Sequence, residues 1–143
     1  AALIAAGADP SASNKRGMTP VWIAAIAGHV GVVNVLVAAG ANPSTPNNEG
    51  QSPIFIATYA GHLSVVEELL AAGADPSVAT TDDGWTPLWI AARGGHLDII
   101  NALVAAGANP STPTAAGNTP VFVAESKGHT LAAALLRQHG AIS

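Results

Sequence analysis

The sequence contains no cysteine, an absence that rules out disulfides, thiolate zinc sites and thiol catalysis together. Charge is scarce as well: Asp, Glu, Lys and Arg make up 10% of the chain, against roughly a quarter in an average soluble protein. Only five of these residues are Lys or Arg and the net charge is −4, too few cations to neutralise a phosphate backbone, so nucleic acid is not expected as a partner. Long apolar runs are missing too. A glycine, proline or polar group interrupts every stretch before the ~20 residues that a membrane helix needs, and membrane insertion is not expected. Mean hydropathy is nevertheless positive; much of it comes from alanine, which means small side chains rather than a greasy surface. No signal peptide is visible and the chain opens at Ala1 without a methionine; the compartment stays undetermined, with an intracellular one as the expectation.

What is present is a period. A Thr/Ser-Pro pair recurs at Thr19-Pro20, Ser52-Pro53, Thr86-Pro87 and Thr119-Pro120, at spacings of 33, 34 and 33 residues. Gly-His keeps the same phase at Gly28-His29, Gly61-His62, Gly95-His96 and Gly128-His129, and Gly-Ala follows at Gly7, Gly40, Gly73, Gly107 and Gly140. Three independent markers sharing one period identify stacked repeats. The stretch 84–107 reads as one unit. Thr86 caps a helix with Pro87 in its first turn, Gly94 and Gly95 stop it, a second helix starts at Leu97 with Leu97, Ile100, Leu103 and Val104 at helical spacing, and Gly107 ends it. Helices this short cannot close a core alone, so each unit needs neighbours. One extra residue falls between Gly73 and Gly84, and the loop at 80–83 is its expected place, where an insertion disturbs no packed helix.

These markers resemble the ankyrin repeat, whose signature joins a 33-residue period to Thr-Pro-Leu-His-x-Ala at the start of the first helix. Here the tetrapeptides read Thr-Pro-Val-Trp, Ser-Pro-Ile-Phe, Thr-Pro-Leu-Trp and Thr-Pro-Val-Phe, so an aromatic replaces the family's histidine throughout. Gly-His-Leu or Gly-His-Val at the second helix and Gly-Ala-Asp/Asn at the close of the unit match the family. The resemblance implies an all-α solenoid of helix-turn-helix units joined by extended, hairpin-like finger loops. It also implies binding of other proteins through varied surface residues. Proline at Pro10, Pro43, Pro76 and Pro110 removes a backbone donor from each connector, so little or no strand is expected.

Taken in order, residues 1–13 form a partial repeat lacking its first helix; 14–46, 47–79 and 80–113 are full repeats, and 114–143 a C-terminal capping repeat. The partial unit is expected to leave an apolar face partly uncovered, as in a piece of a longer array or an end that packs against a partner. Polar residues Arg137, Gln138 and His139 suit a terminal helix with one side in water.

The frame repeats while certain positions vary. At the fingertips these are Lys15, Arg16 and Met18; Asn48, Glu49 and Gln51; Asp82, Asp83 and Trp85; and Ala115, Ala116 and Asn118. Late in the first helices they are Ile26, Tyr59, Arg93, Ser126 and Lys127. Packing fixes the frame and leaves the varied residues free for recognition.

The histidines in register do not suggest a metal, because adjacent helices pack about 8–10 Å apart while zinc ligands each lie about 2 Å from the ion. Hydrogen bonding near the turn into the second helix is the expected role of His29, His62, His96 and His129. The aromatic series Trp22, Phe55, Trp89 and Phe122 reads either as a strip for a partner or as rings filling the gaps between repeats, the second being favoured. Trp85 lies at a fingertip where the frame needs no ring, so an exposed tryptophan is expected there, and for it binding and packing stand level. Asp82 and Asp83 read as an acidic patch or as merely solvated loop acids. No catalytic order of residues and no phosphate loop is present, so neither an enzyme nor a cofactor is expected. The function read from the sequence is a protein-interaction module whose concave face binds a protein partner through Lys15, Arg16, Met18, Gln51, Tyr59, Asp82, Asp83, Trp85, Arg93 and Lys127. A constitutive subunit of a larger assembly, or a segment of a longer multidomain protein, is the alternative.

Overall fold

A computed structural model describes residues 11–142, and among them the regular structure is entirely helical. The helices come in pairs: α1 (Pro20–Ala27) with α2 (Val30–Ala38), α3 (Pro53–Ala60) with α4 (Leu63–Ala71), α5 (Pro87–Gly94) with α6 (Leu97–Ala105), and α7 (Pro120–Ser126) with α8 (Thr130–Gln138). The Thr/Ser-Pro pair starts each first helix as its chemistry requires. The hydroxyl of Thr19, Ser52, Thr86 or Thr119 accepts the N–H three residues on, at 3.1–3.2 Å, and the proline occupies a first-turn position with no hydrogen bond to lose. Gly28, Gly61 and Gly95 close α1, α3 and α5 in the left-handed conformation. Gly94 is still helical, and Gly95 alone makes the stop.

First helices stack on first helices and second on second, so the pairs form a solenoid with one continuous apolar core. Leu69, Ile100, Leu103 and Leu136 from the second helices, and Ile54, Phe55 and Leu88 from the first, are sealed in it. After α2, α4 and α6, the side chains of Asn42, Asp75 and Asn109 accept the N–H two residues on at 2.8–2.9 Å, which turns the chain into the connector.

The two ends of the described stack differ chemically. In α7, Glu125 stands where Ala25, Thr58 and Ala92 are fully buried in the earlier units. In α8, Arg137 stands where they have Val37, Leu70 and Val104. Glu125 and Arg137 pair with each other, both about half exposed. At the other end Ile23, Val32 and Val35 are exposed by 44–47%, whereas Ile56 and Val65, in the phase of Ile23 and Val32, are buried. The partial repeat expected at 1–13 lies, as far as Pro10, outside the described residues.

Candidate functional site

Each fingertip is a tight turn organised by its first residue. The N–H of Asn14 donates to Met18 O, that of Asn47 to Gln51 O and that of Thr114 to Asn118 O, at 2.9–3.1 Å. The Asn14 and Asn47 side chains each also accept two backbone N–H groups of their own turn, as Asx turns do. The third finger is one residue longer: Thr80 N–H reaches Trp85 O, five residues on, and Thr80 Oγ1 accepts from Trp85 N. This accommodates the extra residue within 80–83. Successive fingers are joined by one backbone hydrogen bond each, from Asn48 N to Arg16 O, Thr81 N to Glu49 O and Ala115 N to Asp83 O. That single bond per joint explains why the connectors form no strands among the described residues.

Glycine allows this close approach. Gly17 and Gly50 have positive φ, and a Cβ on either would come within 2.5 Å of an atom of the next finger.

Between these fingers lie two adjoining cavities. One, of about 530 Å³, holds Lys15, Arg16, Met18 and Gln51. The other, of about 290 Å³, holds Gln51 again with Asp82, Asp83 and Trp85. Glu49 lines both. It was absent from the binding set read from the sequence, although it shares the fingertip phase of Arg16. Tyr59, Arg93 and Lys127 line neither cavity; they sit at the C-terminal ends of the first helices, each roughly 12 Å along its helix from the finger. Tyr59 is 58% exposed, Arg93 is half-buried and Lys127 is exposed.

Trp85 departs from the expectation of an exposed ring. It is half-buried and stacks on Trp89, with ring centroids 4.9 Å apart and planes inclined by 20°. The aromatic series divides in the same physical way. Trp22, Phe55 and Trp89 are 6%, 1% and 5% exposed because the next repeat covers them, whereas Phe122, with no described repeat beyond it, is 53% exposed. Trp22 Nε1 also donates to Gln51 O across the joint at 3.0 Å, while the indole N–H of Trp89 has no partner among the described residues.

The histidines likewise act across joints. His62 Nε2 donates to Ile26 O of the preceding unit at 3.1 Å, which fixes the proton on that nitrogen. The rings of His62, His96 and His129 lie against Gly28, Gly61 and Gly95 of the unit before, where a Cβ would approach them to 2.7–3.1 Å. Burial, and secondarily the charge of His129, hold the His96 pKa below its ordinary value of about 6.5. The neutral ring is therefore favoured in the folded state. Near pH 7.5 the ring is neutral in both states and the effect is absent. As pH falls through about 6.5 towards the lower folded value, the unfolded chain takes up a proton that the folded chain resists. Stability is expected to drop over that window. His96→Gln should flatten part of the drop in urea midpoints measured from pH 7.5 to 5; an unchanged slope would contradict the assignment.

The fold and this surface define a class: a helical-repeat solenoid that displays varied loop tips on a constant frame. A model of the family described as ankyrin repeats (3 copies) matches residues 1–82 and 72–142, and the chain belongs to the ankyrin repeat family. Members are generally protein-interaction modules and typically non-catalytic. A comparison with curated proteins finds no match.

Proposed function

We propose that this chain is a protein-interaction module, without catalysis, that engages a protein partner through the concave face made by its fingertips and first helices. In this reading 14–46, 47–79 and 80–113 are full units and 114–143 is the capping unit. The observation that carries it is the division of labour in the repeat. Recurring residues mostly sit buried in joints or close turns, while Lys15, Arg16, Met18, Gln51, Asp82, Asp83 and Trp85 gather in two adjoining cavities. Such a surface is ordered before the partner arrives, so little ordering entropy opposes binding.

Tyr59, Trp85 and Arg93 are of the residue types that dominate interface energetics. Their joint conversion to Ala is expected to weaken a captured partner at least tenfold while helix content by circular dichroism stays unchanged. Full affinity in the triple variant would place recognition on another face. The reading as a subunit of a larger assembly is favoured by one observation, the exposed Ile23, Val32 and Val35. Sedimentation that shows a stoichiometric complex lost on Val32→Asp would support it.

A further inference from the structure

We propose, resting on the module reading above, that the fingertip groove takes an extended protein segment of fixed polarity. An acidic side chain of that segment lies against Lys15 and Arg16, and a basic one lies in the cavity walled by Trp85, Glu49, Asp82 and Asp83.

Three observations converge on this. The two cavities share Glu49 and Gln51 and so adjoin along the fingers, with Lys15 and Arg16 on the first tip and Glu49, Asp82 and Asp83 on the second and third. None of Lys15, Arg16, Glu49, Asp82 or Asp83 has an ion-pair partner among the described residues, so the charges are free to meet a partner's. The third finger, in turn, breaks the frame at this very place. Its extra residue lengthens the turn that carries both acids, and Trp85 replaces the Met18, Gln51 and Asn118 of the other tips. Because Trp85 is held by stacking on Trp89, it forms a rigid aromatic wall beside three carboxylates. A guanidinium or ammonium there is favoured by the ring face as well as by the acids.

The geometry also sets a spacing. Neighbouring units stack roughly 10 Å apart, and the negative pole lies between the second and third fingers, so the two poles are roughly 15 Å apart. An extended chain advances about 3.3 Å per residue, which puts the partner's acid and base about four to six residues apart in one constant order.

The test uses the whole chain as bait for a random twelve-residue peptide library, followed by fluorescence anisotropy on synthetic copies of the enriched peptides. Enriched peptides are expected to carry an acid and a base at that spacing. Asp82→Asn with Asp83→Asn should weaken them at least tenfold, and so should Lys15→Gln with Arg16→Gln. Replacing the peptide's base by Ala should abolish sensitivity to the aspartate variants but not to the Lys15 and Arg16 variants. Peptides that lose binding with Tyr59→Ala and Arg93→Ala yet ignore both charge variants would overturn this polarity and leave the module reading standing. A library that yields no binder on this face would overturn both.

Discussion

Phe55→Ala is expected to cost about 3–5 kcal/mol, whereas Phe122→Ala, the same change at the same phase of the repeat, should cost less than about 1 kcal/mol. Phe55 is 1% exposed because the third unit closes over it, and truncation leaves a cavity that the packed joint cannot collapse into. Phe122 is 53% exposed, so its ring loses little when removed. A domain stable by about 5–15 kcal/mol in all would feel the first change severely. In a solenoid, stability sums over units and joints, so a damaged joint can also uncouple the two halves of the array. Urea denaturation followed by circular dichroism should show a lower midpoint, or two transitions, for Phe55→Ala alone. Equal losses at the two positions would mean that the ring is not a joint residue.

The pair of substitutions exposes what could be read from the sequence and what could not. The helices, their Thr/Ser-Pro starts and their glycine stops were legible because each depends on residues within a few positions of one another, and the period confirmed them copy by copy. The turn at 80–83 was legible for the same reason. What the period conceals is which copy a recurring residue touches. Gly-His reads as a local turn motif, yet Gly28, Gly61 and Gly95 each meet the histidine of the following unit, and Trp22, Phe55 and Trp89 are buried by the following unit too. A residue that contacts a different position one repeat away leaves no separate mark when every repeat carries both. End effects are hidden likewise: Glu125 and Arg137 look like two scattered charges until the stack puts them on one outer face.

The candidate surface was legible only as a set of varied positions. The grouping of Lys15, Arg16, Met18 and Gln51 in one cavity, and of Gln51, Asp82, Asp83 and Trp85 in the next, follows from the finger-to-finger hydrogen bonds. Glu49 enters both because it lies on the finger between them. The stacking of Trp85 on Trp89 was beyond the period altogether, since no other unit has an aromatic at both places.

Gly95→Ala is expected to cost about 2–4 kcal/mol, against about 1–2 kcal/mol for Gly128→Ala. Both glycines hold φ near +75°, at +71° and +78°, so the strain of placing an L side chain in the left-handed region is common to the two. They differ in what a methyl group would meet. At Gly95 it would lie 2.7 Å from His129 Nδ1 and 2.9 Å from its Cγ, so the whole ring must move; at Gly128 it would meet nothing within 4 Å. The difference between the two variants therefore isolates the contact from the backbone strain. A second substitution separates them further. In a His129→Ala background the ring is gone, and Gly95→Ala should fall to the cost of strain alone, about 1–2 kcal/mol. Thermal or urea unfolding of the four chains completes that cycle. If Gly95→Ala costs the same with and without His129, the recurring phase of glycine and histidine reflects the turn within each unit, and the joint between units is held by the apolar core alone.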